Sequence, residues 1–328
     1  MAMRHKREAM VGQPKQACYQ NSDAGFTLFT DGEPTGWVDG DEFIRVTTDW
    51  NSRTWKVNYQ FWVRSVTGTA INARMNASTW CDVRSANGNC STNREYDEIV
   101  LDPTVSNRHL TTTTEFIGIP AAGDAVDVQA LHTLTITGRA LYSETVQSEI
   151  VRCDRAPRMR GTEGCVIRAV TPVWDLRDTP NIDAYRKHVS LAQQSGLPGY
   201  VNNSGSGNNP LQRITDLNGI NTRRKISCGG VTGPRPSGRS CDEYPMASTM
   251  QGGGNGAGVG IAQTFPQSFC GIRDLGIYEL TDPPGGRGAG YSVCLIPASQ
   301  NSRAGSLQTW FYTKTRVLNG DYFLVRAE

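Results

Sequence analysis

Between Trp55 and Arg64 the apolar side chains Val57, Tyr59, Phe61 and Val63 alternate with Lys56, Asn58, Gln60 and Arg64. A period of two is the pattern of a half-buried strand, because successive side chains of an extended chain point to opposite faces. Residues 42–50 and 70–80 read the same way, and the clusters Asn51-Ser-Arg and Ser85-Ala-Asn-Gly separate them as turns. Val128, Leu131, Leu134 and Ile136 stand among threonines over 126–140, and 141–151 is placed to pair with them. Short strands at this spacing predict an antiparallel sandwich or barrel.

The cysteines bound the compartment. Nine occur in 328 residues, none in a C-x-x-C pair, and the chain has only four histidines. A structural zinc site is therefore disfavoured. Cys81/Cys90 and Cys153/Cys165 read as small disulfide loops. Cys228, Cys241, Cys270 and Cys294 allow two further bridges in any of three connectivities, and Cys18 is left over. Disulfides imply an oxidising, extracellular setting. The basic opening Met1-Ala-Met-Arg-His-Lys-Arg is followed by no apolar run, so export is expected to use a signal upstream or another route. No stretch of 18 apolar residues occurs, and no membrane span is expected.

The pattern changes near residue 180. Ile182, Tyr185 and Val189 recur at helical spacing, Asp183 falls in the first turn, and Gly196-Leu-Pro-Gly ends the helix. The division expected is a mobile segment 1–20, a β-rich domain 21–180 and a second domain 181–328. Residues 181–328 carry 14 Lys+Arg and 9 Asp+Glu, a net charge of +5, against −3 for 1–180. A basic half suits a polyanion. Six of the seven tryptophans lie in the first 180 residues. They fill or edge a sandwich core, and a sugar- or wall-binding face is the competing use.

Within the second half, Arg223-Arg-Lys is a basic triplet, and a glycine run over 251–260 reads as a flexible loop because it lacks the P-loop pattern. Tyr291-Ser-Val-Cys-Leu-Ile-Pro reads as a strand. A polar turn then opens a short helix over 307–312, and Arg316-Val-Leu-Asn-Gly-Asp-Tyr-Phe-Leu-Val reads as a closing hairpin. At Cys241-Asp-Glu-Tyr-Pro-Met-Ala-Ser-Thr two adjacent carboxylates stand between a cysteine and an aromatic-proline pair, which restrains the backbone on both sides.

That block, together with Ile-Pro-Ala-Ser-Gln-Asn-Ser-Arg-Ala-Gly-Ser at 296–306 and the terminal segment, resembles the NucA/NucB family of secreted bacterial deoxyribonucleases over about 220–328. The resemblance implies a small α+β nuclease domain with a ββα-metal-like site. With the N-terminal antiparallel β-sandwich-like domain that the strand pattern predicts, the chain is expected to be α+β. The resemblance places Asp242 and Glu243 as catalytic carboxylates, Glu243 and Asn301 as metal ligands, and Mg²⁺ or Mn²⁺ as the ion. Arg223, Arg224, Arg303 and Arg316 are the candidate DNA contacts. Gln300 stands where members often carry an acid, Ser306 is a candidate helix cap, and His188 a candidate acid. Independently of the family, 241–328 contains no histidine, so a carboxylate must serve as base if this half is a complete enzyme.

The expected function is a secreted, metal-dependent endonuclease acting on DNA. The competing readings are an interbacterial nuclease effector with an N-terminal delivery domain, and a non-catalytic cell-wall or polysaccharide-binding β protein with a degenerate nuclease domain.

Overall fold

The computed structural model describes residues 8–10, 15–92, 96–105, 108–121, 124–138, 142–156, 163–194, 196–201, 207, 209–229, 237–254 and 290–328. Most of the glycine-rich run 251–260 and of the loop 202–210 lies outside them. The chain divides into two compact units, Met1–Val170 and Thr171–Glu328. The fold class is α+β: mostly antiparallel sheets, with three α-helices among the described residues of the second unit.

The first unit is built from β1 (Glu8–Met10), β2 (Gln16–Thr30), β3 (Glu33–Asp49), β4 (Ser52–Gly68), β5 (Arg74–Val83), β6 (Gly88–Thr92), β7 (Tyr96–Val100), β8 (His109–Pro120), β9 (Ala125–Thr137), β10 (Tyr142–Gln147), β11 (Val151–Asp154) and β12 (Gly164–Ile167). One sheet runs β1-β2-β3-β4-β8-β6. The other runs β12-β11-β9-β5-β7, with β10 also on β9. Residues 16–20, assigned above to a mobile segment, belong to β2 and pair with β3.

Alternation explains the sandwich. Trp55, Val57, Tyr59 and Phe61 of β4 are buried, as are Leu110 and Phe116 of β8, and they meet Met75, Leu134, Ile136 and Val151 of the facing sheet. Trp55 stacks on Phe116 with centroids 4.4 Å apart. The Cys81–Cys90 disulfide joins β5 of one sheet to β6 of the other, and Cys153–Cys165 joins directly opposed positions of β11 and β12. Gly118 of β8 makes room for that second bridge: a Cβ there would lie 2.4 Å from Cys153 Cβ.

A charged residue of β3 is buried against this core. Glu42 is 3% exposed and accepts a hydrogen bond from Tyr59 Oη at 3.1 Å. Burial raises its pKa to about 7; the Tyr59 bond opposes the shift and the charge of Glu144 adds to it. The folded value lies above the unfolded one, so the folded state holds the proton more tightly. Stability is then lost as pH rises from the unfolded value through about 7. Glu42→Gln keeps an acceptor for Tyr59 and removes the charge. It is expected to stabilise this unit by about 1–3 kcal/mol at pH 8 and to leave it unchanged at pH 4. Urea unfolding at the two pH values measures the difference.

The second unit contains β13 (Val173–Asp175), α1 (Asp183–Gln194), β14 (Leu211–Gln212), α2 (Leu217–Gly229), β15 (Arg239–Tyr244), β16 (Ser292–Pro297), α3 (Ala298–Lys314) and β17 (Tyr322–Arg326). The break between units precedes residue 180 because β13 pairs in parallel with β17, which β14 flanks on its other side. β15 and β16 form an antiparallel pair that runs straight into α3. The stretch over 298–306, expected to be a turn, is the first half of α3, and Arg316 to Gly320 is a turn and not a strand, with Arg316 at φ 51°. In α1 the buried side chains Tyr185, His188, Val189 and Ala192 form one stripe at helical spacing. The helix ends at Gly196, whose φ of 98° suits a residue without a Cβ.

Candidate functional site

β15 is held from both sides and at its end. Cys241 is disulfide-bonded to Cys228 near the C-terminus of α2. A bridge closing so short a loop contributes about 3 kcal/mol. Cys294 of β16 is disulfide-bonded as well. At the far end, Tyr244 is fully buried, donates from its hydroxyl to Pro198 O at 2.7 Å and accepts from Gln193 Nε2 at 2.9 Å. Among the described residues, no helix is long and apolar enough to cross a membrane.

Side chains alternate along this strand, and the two carboxylates part. Asp242 is 4% exposed, and its Oδ2 lies 2.6 Å from His188 Nδ1 on α1. The other ring nitrogen, Nε2, lies 2.9 Å from Ser292 Oγ on β16. A carboxylate in this state accepts only, so Nδ1 carries the proton, and the Ser292 hydroxyl can complete either state of Nε2. Burial raises the pKa of Asp242, while the hydrogen bond and charge of His188 oppose the rise.

Glu243 faces α2 instead. Its Oε2 is 3.5 Å from Cys228 Sγ and its Oε1 is 3.9 Å from Arg224 Nε. Burial first, and then the neighbouring Asp242 charge, raise its pKa to about 7, with Arg224 opposing. Cys228, Cys241 and Glu243 approach one another closely enough to resemble a metal cluster. The two sulfurs are bonded to each other, however, so neither is available as a thiolate ligand.

Asn301 sits in the first turn of α3. Its Nδ2 donates to Ser240 Oγ at 3.0 Å and to Cys241 O at 2.9 Å. Ser240 shares a strand face with Asp242, so Asn301 stands on the Asp242 side of β15, and Glu243 stands on the other. Asn301 thus contacts Ser240 and the backbone of Cys241, on the strand face that also carries Asp242 and not Glu243. With the amide nitrogen held by β15, the amide oxygen is the atom left for a ligand.

The remaining candidates fall into distinct places. Gln300 Oε1 accepts the Ala184 backbone N–H at 2.8 Å, which satisfies one of the unpaired donors in the first turn of α1. Ser306 lies in mid-helix, exposed, and its hydroxyl bonds back to Ser302 O, so it does not cap α3. Arg224 is exposed beside Glu243, and Arg223 is half-buried with Nη2 at 3.6 Å from Met250 Sδ. Arg303 is exposed and donates to Pro180 O at 2.9 Å. Arg316 is 0% exposed, so no phosphate meets it in this conformation. His188, too, is 0% exposed with both ring nitrogens engaged, and it does not reach solvent as an acid. Ser292 escaped the sequence reading; its one signal was a hydroxyl opening an otherwise apolar strand.

A family model for Deoxyribonuclease NucA/NucB matches residues 190–272. The match takes in the end of α1, all of α2 and all of β15, and it supports a deoxyribonuclease function for the second unit. No curated protein matches the chain. Among solved structures, the crystal structure of the GAE domain of GGA2p from Saccharomyces cerevisiae is similar at 9% sequence identity and a TM-score of 0.19, covering 43% of this chain and 95% of that chain. A likeness of that size carries no argument.

The capping role of Gln300 has a direct consequence. Gln300→Ala is expected to destabilise the second unit by about 1 kcal/mol, the usual cost of losing a helix cap. Thermal unfolding of the purified chain measures it, and an unshifted transition would remove the cap from the account.

Proposed function

We propose that the second unit hydrolyses phosphodiester bonds of DNA in an oxidising compartment, with Asp242 as proton acceptor. The observation that carries this reading is the β-β-α arrangement of β15, β16 and α3, which puts a buried carboxylate and Asn301 on one face. Its first strand lies inside the region matched by a deoxyribonuclease family model.

Hydrolysis of a phosphodiester needs an acceptor for the proton of the attacking water and neutralisation of charge on the phosphoryl oxygens. Asp242 is assigned the first role as the carboxylate on the strand face of Ser240, to which Asn301 donates, the ring nitrogens of His188 both being engaged. The oxygen donors on its side of β15 fit a hard divalent cation such as Mg²⁺ or Mn²⁺, with the Asn301 amide oxygen as a ligand. When bound, such an ion supplies the charge stabilisation. Glu243, on the opposite side of the strand, sets the electrostatics beside Arg224. Arg224 and Arg303 are the exposed cations placed to hold the phosphate backbone. Three complete disulfides among the described residues are consistent with export.

Asp242→Asn is expected to lower plasmid cleavage by about 10²-fold or more, and EDTA to abolish it. Glu243→Gln is expected to cost less than Asp242→Asn. Undiminished cleavage by Asp242→Asn would remove Asp242 from the chemistry.

A separate observation favours a ligand for the first unit. On the outward face of β4 and β8, Trp62 is 41% exposed and stacks on His109 with centroids 4.3 Å apart. The register places Gln60 and Thr111, then Asn58 and Thr113, in the next rows. An aromatic platform beside amides and hydroxyls suits the flat faces of sugar rings in a polysaccharide. Trp62→Ala is expected to abolish retention of the chain on insoluble peptidoglycan while leaving its unfolding transition in place; equal retention would discard the reading.

A further inference from the structure

We infer that His188 and Ser292 form a positioning relay for Asp242, so that α1 and β16 together aim the proton acceptor. The inference rests on the nuclease reading above. It adds a role for two side chains that, on the geometry, touch neither solvent nor substrate.

The chemistry of the three side chains dictates the direction of the relay. Asp242, His188 and Ser292 are 4%, 0% and 2% exposed. Burying a carboxylate in apolar surroundings is costly unless donors meet it. Tyr185, Tyr244 and Val293 are buried close by in sequence on the same three elements. The donors present are His188 Nδ1 at 2.6 Å and the backbone N–H of Glu243. An imidazole bound at one nitrogen alone can still swing about its χ angles. Ser292 Oγ, 2.9 Å from Nε2, closes the other end and fixes the ring plane. Ser292 pairs with Tyr244 in the β15–β16 ladder, so the hydroxyl is tied to the strand that carries Asp242.

The relay therefore crosses three elements and returns to its starting strand. Such an arrangement acts by holding one carboxylate orientation. Loss of an outer-shell partner of this kind commonly costs about 10- to 100-fold in activity. An orientation effect appears in kcat, because the acceptor matters in the transition state and not in holding the DNA backbone.

The test uses the full chain on plasmid DNA with Mg²⁺, with kcat and KM measured separately. His188→Leu is expected to lower kcat by about 10- to 100-fold with KM little changed. His188→Asn, whose side-chain amide can donate from nearly the position of Nδ1, is expected to recover most of that loss. The double variant His188→Leu/Asp242→Asn is expected to be no worse than Asp242→Asn alone, because a relay has no effect without the group it aims. If His188→Leu does not fold, Ser292→Ala carries the test, with a smaller loss of kcat that also vanishes in the Asp242→Asn background. The inference is overturned if folded His188→Leu retains kcat, if His188→Asn is no better than His188→Leu, or if the losses multiply in the double variant. An inactive wild-type chain would overturn the nuclease reading itself, whereas an active wild type indifferent to residue 188 overturns only the relay.

Discussion

The side-chain period of a β-strand decides how the second unit can work. Asp242 and Glu243 are neighbours in sequence, yet on β15 they point to opposite faces, one to α1 and the other to α2. A pair that reads as one catalytic unit is thus two separate groups with separate surroundings. Asp242 meets a hydrogen-bonded imidazole, and Glu243 meets a guanidinium near 4 Å and has a raised proton affinity. The Cys228–Cys241 bridge makes the division permanent, since it ties α2 to the residue between Ser240 and Asp242 and fixes which face each carboxylate takes.

Both units bury ionisable groups, and they resolve the cost differently. In the first unit Glu42 meets a phenol, and the balance is restored by holding the proton. His132 in the same core stays neutral: burial lowers its pKa to about 3, with Nδ1 2.9 Å from Thr79 Oγ1 and the Tyr59 ring stacked over it. In the second unit the acid and the base are brought together, and His188 meets Asp242. A lone buried carboxyl is a local adjustment of protonation. A paired one is a fixed geometry, and geometry is what a reacting group requires.

The sandwich was legible because its signal is local. Val57, Tyr59 and Phe61 are buried, as their alternation implies, and Tyr185 and Val189 form the inner stripe of α1. What stayed hidden depended on tertiary context. The run 298–306 contains Ser, Asn and Gly, which favour turns, and it is helical because Asn301 and Gln300 find partners on β15 and α1. Asn-Gly at 319–320 suggested a hairpin, but the chain before it turns at Arg316 and only β17 is extended. The basic triplet 223–225 lies on α2, whose weakly amphipathic sequence gave no periodic signal. The His188 contact joins residues 54 positions apart, and the Ser292 contact joins residues 104 apart, so no spacing rule reaches either.

The charges around β15 also bear on how a polyanion would approach. An ionised Glu243 repels phosphate, so a DNA backbone drawn to α2 needs that charge offset. Arg224 beside it provides the offset, while Arg223 and Lys225, its neighbours in sequence, point to other sides of the same helix. Phosphate bound there would raise the proton affinity of Glu243 further, for like charges disfavour one another. Glu243 would then be held neutral in the complex, which is a poor state for a proton acceptor and a suitable one for a wall of the binding surface. Asp242 is placed differently: its partner is an imidazole on the far side of the strand, which a phosphate at α2 does not displace. The two carboxylates thus meet their charged and hydrogen-bonding neighbours on opposite faces of a single strand.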